Sequence, residues 1–209
     1  QSILTSQSGS ISMAGGAVNS GGITAQAATG ISLTGNMSYV YGATATTGDV
    51  SILSTLLDIQ GDISGDTVTL GGTANGGYVR QTSGSITANK LIATGYAFVD
   101  LNGATNHIAS LGALSSPNGY VKIASLDAVT LTADVDADDT FTLNAGGAVR
   151  QTGGRINTGW LRVSAAGDID LGAANQIDAG SDVILAGDDV TFVNTGTFTI
   201  AGITAANGG

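Results

Sequence analysis

Cysteine is absent from this chain, and proline (Pro117), histidine (His107) and tryptophan (Trp160) occur once each. A lack of cysteine suits an exposed bacterial surface protein and a cytosolic one alike, so it assigns no compartment. Glutamate is also missing. All sixteen acids are aspartate, and charged residues make up only 11% of the 209 positions, less than half the usual share. Helices lean on Glu, Lys and Ala-Leu pairs; the first two are scarce here, while Thr, Ser, Val, Ile, Asn and Gly abound. That composition favours strands and turns. Six Lys and Arg against a formal net charge of −10 leave too few cations to displace counterions from nucleic acid. The same balance disfavours adsorption to anionic lipid. No apolar run approaches ~20 residues, so nothing spans a bilayer as a helix. The opening QSILTSQSGS has no basic stretch followed by an apolar one, so no signal peptide is read there. A mature product and an excised segment would both begin this way.

What is present is repetition. Apolar residues reach 42% and recur at regular intervals, enough to bury a core rather than stay disordered. The stretch GGYVRQTSGSITANKL (Gly76 to Leu91) returns seventy residues later as GGAVRQTGGRINTGWL (Gly146 to Leu161), with nine of sixteen positions identical. Upstream, DTVTL (Asp66 to Leu70) corresponds to DTFTL (Asp139 to Leu143); downstream, FVDL (Phe98 to Leu101) corresponds to DIDL (Asp168 to Leu171). A fainter copy, GGAVNSGGITA, runs from Gly15 to Ala25. Inside the long unit is a shorter beat. Val50-Ser51-Ile52, Val68-Thr69-Leu70, Val129-Thr130-Leu131, Phe141-Thr142-Leu143, Ile169-Asp170-Leu171, Val183-Ile184-Leu185 and Val190-Thr191-Phe192 share one form. Period-two alternation puts the outer pair of each on one face, so each predicts a short strand with one side buried. Gly, Asn and Asp cluster between them, where turns need them.

Strands this short solve their pairing problem by coiling, each stacking on its counterpart one turn along. The expected fold is all-β: a right-handed parallel β-helix (β-solenoid) of about nine coils, roughly 20–24 residues each. A seventy-residue unit would then be about three coils of roughly 23 residues. A β-sandwich also has many short strands, but it requires no such echo and usually carries more proline and aromatic core. Residues 1–209 form one solenoid segment, with 66–136 and 139–205 the clearest repeat pair, expected to belong to a longer chain or filament.

The Gly-Gly-x-Val-Arg-Gln-Thr-x-Gly-x-Ile block, AGDIDLGAANQI (Ala166 to Ile177) and DAVTLTA (Asp127 to Ala133) resemble the shafts of filamentous-haemagglutinin-like exoproteins. The resemblance is one of style and periodicity and covers essentially the whole chain. It implies a large β-helical surface protein of a Gram-negative bacterium, exported by two-partner secretion or as an autotransporter passenger. SPNGY (Ser116 to Tyr120) echoes an Asn-Pro-Asn-Gly-Ile motif of that family's secretion domain, but Ser and Tyr replace Asn and Ile, and it reads as a loop turn.

Chemistry-bearing constellations are sparse. Asp188-Asp189 is similar to the paired carboxylates of polygalacturonase-like hydrolases. The companion triplets are missing: only Asn157-Thr158-Gly159 and Asn194-Thr195-Gly196 stand near one of them, and His107 has no adjacent Gly. The pair reads as a solvated turn, and no catalytic or cofactor-binding residue is assigned. In DVDADD (Asp134 to Asp139), Asp134, Asp136 and Asp138 are candidate calcium ligands. The run lacks the glycines of calcium-binding rolls and EF-hands and reads first as a long hydrated loop between strands. Thr-x-Thr triplets beginning at Thr67, Thr130, Thr140 and Thr197 raise an ice-binding face, but their spacing forms no uniform ladder. Tyr39, Tyr41, Tyr78, Tyr96 and Tyr120 suggest a sugar-stacking strip or half-buried packing. Arg80 and Arg150 recur at one phase, which duplication alone explains; His107 and Trp160 have no partner motif.

The expected role is a structural and adhesive shaft of a secreted fibre at the outer surface of a Gram-negative bacterium, without enzymatic activity. The terminal stretches QSILTSQ and ITAANGG offer no capping helix. Expected partners are copies of itself or flanking solenoid repeats end to end, and host or cell-surface glycans or proteins. The alternative is a β-helical protein that binds or cleaves polysaccharide.

Overall fold

In the computed structural model, which describes residues 2–18, 23–37, 39–72, 76–103, 105–178 and 180–205, there is no helix. Among the described residues twenty-two strands pair exclusively in parallel, with strands one turn before or after, giving a β-solenoid of about nine turns. Near the middle a turn has three faces. Val121–Ser125 forms the first and Val129–Leu131 the second. Val135–Ala145 forms the third at its start, then rounds a bulge after Ala137 so that its last five residues stack on the first. The alternation read from the sequence is the alternation seen: in Val121–Ser125 the first, third and fifth residues point inward and are buried. One column of the first face runs Leu57, Val79, Val99, Val121, Phe141, Leu161, Val183, Ile200 through eight turns, all fully buried except Ile200, which is exposed. Burial of a side chain of this size contributes roughly 1.5–3 kcal/mol. The buried columns of all three faces therefore share the stability, and no one strand carries it.

The echo has a different phase from the one its spacing suggests. Successive turns advance 20 residues at Val121↔Phe141↔Leu161 and at Val129↔Val149↔Ile169. Seventy residues are therefore three turns plus one face, not three coils of 23. Gly77–Gln81 lies on the first face, because Val79 stacks on Val99 and, through it, Val121. Its copy Val149–Gln151 lies on the second, stacked on Val129. Leu70 and Leu143 likewise share the core, both fully buried, but stand in columns one face apart.

What is copied is a corner. Gln81 Nε2 donates to Gly84 O and to Asn106 Oδ1, each at 2.8 Å. Asn106 Nδ2 donates back to Gln81 Oε1 at 2.9 Å and to the carbonyls of Leu101 and Ala124. Asn106 Oδ1 also accepts Ile86 N at 2.8 Å. Seventy residues on, Gln151 and Asn175 make the same set with Gly154, Leu171, Val193 and Ile156. Both asparagines are fully buried. Below each corner an aspartate one turn back closes the bend: Asp62 Oδ1 accepts Ser85 N, and Asp134 Oδ1 accepts Arg155 N, both at 2.9 Å. Thr82 and Thr152 donate their hydroxyls to the carbonyls of Ile59 and Leu131. Buried backbone groups that leave the ladder at a corner must find partners elsewhere. The repeated Val-Arg-Gln-Thr-x-Gly words encode those partners.

One core position breaks that rule. Tyr96 is fully buried and its hydroxyl has no hydrogen-bond partner among the described residues. Burial pushes this phenol well above its ordinary value. Replacing it by Phe removes an unpaired group and is expected to stabilise the fold by about 1–2 kcal/mol at neutral pH. The folded value lies above the unfolded ~10. The contribution of Tyr96 is therefore intact below that value and declines as pH rises past it. Denaturant midpoints of wild type and Y96F at pH 7 and at alkaline pH check both parts; a lower midpoint for Y96F at pH 7 refutes the first.

Candidate functional site: an aromatic and charged outer face

Outward residues of the first face form two columns. The nearer one reads Leu56, Tyr78, Phe98, Tyr120, Thr140, Trp160 from turn to turn. The next reads Asp58, Arg80, Asp100, Lys122, Thr142, Arg162. Strand spacing of ~4.8 Å is close to the stacking distance of two rings. Tyr78 and Phe98 stack with centroids 5.2 Å apart and planes 6° from parallel; Phe98 and Tyr120 follow at 5.3 Å and 21°. Offset-stacked pairs of this kind contribute roughly 0.5–1.5 kcal/mol each beyond their area. The rings spend their faces on one another and offer edges and hydroxyls outward. They are therefore a ladder along the axis and not a flat platform. Burial raises the pKa of both Tyr78 and Tyr120, with Asp58 adding to the first and Asp100 to the second, so both phenols are neutral donors at physiological pH.

Charge runs beside the rings. Asp58 is 6% exposed and takes two hydrogen bonds from Arg80, Nε at 3.0 Å and Nη2 at 3.2 Å. A buried carboxylate is tolerable here because the guanidinium fork satisfies both oxygens. Arg80 also lies 5.5 Å from the Tyr78 centroid, and Lys122 Nζ sits 4.3 Å from that of Tyr120. Arg162 forms no ion pair among the described residues.

The sequence-read candidates scatter. Of the five tyrosines, Tyr78 and Tyr120 join the ladder, Tyr96 lies inside the core, and Tyr39 and Tyr41 are partly exposed further down. Phe98 takes the rung between them because a bulge between Tyr96 and Phe98 turns one inward and the other outward. The run Asp134 to Asp139 is mostly strand, not a long loop, since Val135 and Ala137 alternate into the core. Its carboxylates work separately: Asp134 caps Arg155 N, and Asp136 accepts Asn157 Nδ2 at 3.2 Å. Asp138 is exposed, and among the described residues no group of three His, Cys or acidic side chains is placed to hold a metal ion. Asp188-Asp189 forms a bend ahead of Val190–Asn194, and Pro117 to Gly119 a turn, as expected. His107 Nδ1 lies 3.0 Å from Asp127 Oδ2, both half exposed. Thr67 stacks on Lys90, Thr130 on Arg150 and Thr140 on Trp160, so no threonine array forms.

A different hydroxyl column does form. Ser12, Ser32, Ser51 and Thr69 stack in successive turns, and the serines line an open groove of about 540 Å³ with Ser10, Thr47 and Asp49. Its signal was present in the sequence as apolar-Ser-apolar triplets 19 or 20 residues apart, at Ile11-Ser12-Met13, Ile31-Ser32-Leu33 and Val50-Ser51-Ile52. No protein-family model matches the chain, and no curated protein or solved structure is similar to it.

Proposed function

We propose that this chain is a shaft segment of a secreted bacterial surface fibre, elongated by stacking solenoid turns and serving attachment between cells and surfaces. The observation that supports this reading most is the constancy of the core register from turn to turn. The column from Leu57 to Ile200 keeps its place through eight turns, and the corner built by Gln81 and Asn106 is rebuilt by Gln151 and Asn175. A body of this kind gains length turn by turn, ~4.8 Å at a time, without a new fold. Aspartate-rich corners and a net charge of −10 keep a long rod dispersed in water. Immunogold labelling and negative-stain imaging of the native material test the proposal. Gold along thin filaments outside the cell is the expected result; label confined to the cell interior, or on compact particles, overturns it. A second reading, a polysaccharide-binding module, is favoured by the aromatic and charged columns of the first face.

A further inference from the structure

Along the axis, the charged column of the first face alternates in sign from Asp58 through Arg80 and Asp100 to Lys122, is interrupted by Thr142, and ends on Arg162. A second copy laid face to face with its axis reversed meets this column in the opposite order. A twofold axis through a charged turn sets like on like, Asp100 against Asp100 or Lys122 against Lys122. A twofold axis between those two turns does the reverse. Asp100 then faces the partner's Lys122, Arg80 faces the neutral Thr142, and Asp58 faces Arg162. No like charges oppose one another in this register, and by symmetry every contact occurs twice.

The same axis also orders the aromatic column. Leu56 and Trp160 are its most exposed members, at 45% and 43%, and stand at the first and sixth turns of the face. Leu56 of one copy therefore lies against Trp160 of the other at both ends of the contact. At the centre Phe98 meets Tyr120, and between centre and ends Tyr78 stands over Thr140. The two Asp100–Lys122 contacts flank the axis and carry the charge preference. Lys122 need not leave the Tyr120 ring to make its contact, because an ammonium has three donors. Asp58 adds little, since it is buried and Arg80 already holds both of its oxygens.

We propose that the first face is a self-recognition surface through which two copies pair side by side with their axes antiparallel. Six turns measure about 29 Å along the axis, and two columns with their side chains about 15 Å across it. Each copy therefore covers roughly 400 Å², half of the ~800 Å² per partner that a standard stable interface covers. The pair is a weak one, with Kd on the order of 10–100 μM. This contact is lateral and goes beyond the end-to-end growth of a shaft.

Sedimentation equilibrium between about 1 and 500 μM, a range that brackets the expected Kd, tests it. Asp100→Lys and Lys122→Asp each set like charges across the axis, and each should weaken self-association by at least about tenfold. Mixed together, the two variants present opposite charges at both central contacts and should associate as the wild type does. Trp160→Ser, at an exposed position, should weaken pairing by about tenfold. Emission from Trp160, the chain's single tryptophan, should shift to the blue as the wild-type chain is concentrated. A wild type that stays monomeric at about 500 μM, leaving the face to a glycan or another protein, overturns the proposal. So do single variants that pair as the wild type does, variants folded by circular dichroism that fail to pair when mixed, or dimerisation that leaves Trp160 emission unchanged. Filaments seen by imaging would stand in any of those cases, so the two readings fail separately.

Discussion

Asn175→Ala is expected to lower the stability of the fold by about 4 kcal/mol, near the top of the range for single substitutions. The side chain is fully buried and makes five hydrogen bonds: from Gln151 Nε2 and Ile156 N at 2.8 Å, and to Gln151 Oε1, Leu171 O and Val193 O at 3.1 Å. Truncation leaves those partners without a mate at a depth where each unpaired group costs roughly 1–3 kcal/mol; water entering the vacated space offsets part of the sum. Because a solenoid couples mainly neighbouring turns, the damage should be local. Urea unfolding gives the size, and hydrogen exchange gives the place, with the amide of Ile156 losing protection first. Asn144→Ala, an exposed change, is the control. A loss below about 1 kcal/mol for N175A would mean that the corner is held by backbone geometry and not by this amide pair.

Gly154→Ala should cost about 3 kcal/mol for two separable reasons. Its φ of +67° lies in the left-handed region, which an L side chain enters at ~1–2 kcal/mol. A Cβ there would also overlap the Ala133 carbonyl group of the turn below, so two turns would have to part. Gly180 separates the two causes. It has φ +83°, but a Cβ added there meets nothing among the described residues. Gly180→Ala should therefore cost only the conformational share, about 1 kcal/mol. Thermal midpoints of the two variants measured side by side give the difference. Equal losses would show that the stacked backbone yields freely, which would contradict the tight turn-on-turn packing described above.

Fold class was legible in the sequence because strand signals are local. Val129-Thr130-Leu131 and Phe141-Thr142-Leu143 each contain within three residues the alternation that buries their outer pair. Turn length was less legible, since Gly- and Asp-rich corners absorb changes of a few residues. The register step is 17 at Val183↔Ile200 and 23 at Ile63↔Ile86. The corner amides were half visible. Gln81 and Gln151 stand inside the repeated words, but Asn106 and Asn175 lie 25 and 24 residues further on, where a lone asparagine looks like any turn residue. The aromatic ladder was misjudged for the same reason: membership depends on a bulge at Tyr96/Phe98 that no local pattern announces. DVDADD misled through its charge. Its aspartates lie on the solvent side of the opening stretch of a strand, where Val135 and Ala137 are the inward members.

The one-face advance of the seventy-residue echo has a geometric consequence. A gene that lengthens by copying this block does not set identical features in a straight file. Each copy is rotated by about a third of a revolution and raised by three storeys and a fraction, as on a spiral stair. Whatever one block displays, a run of blocks would display to every compass direction, so such a rod would have no back.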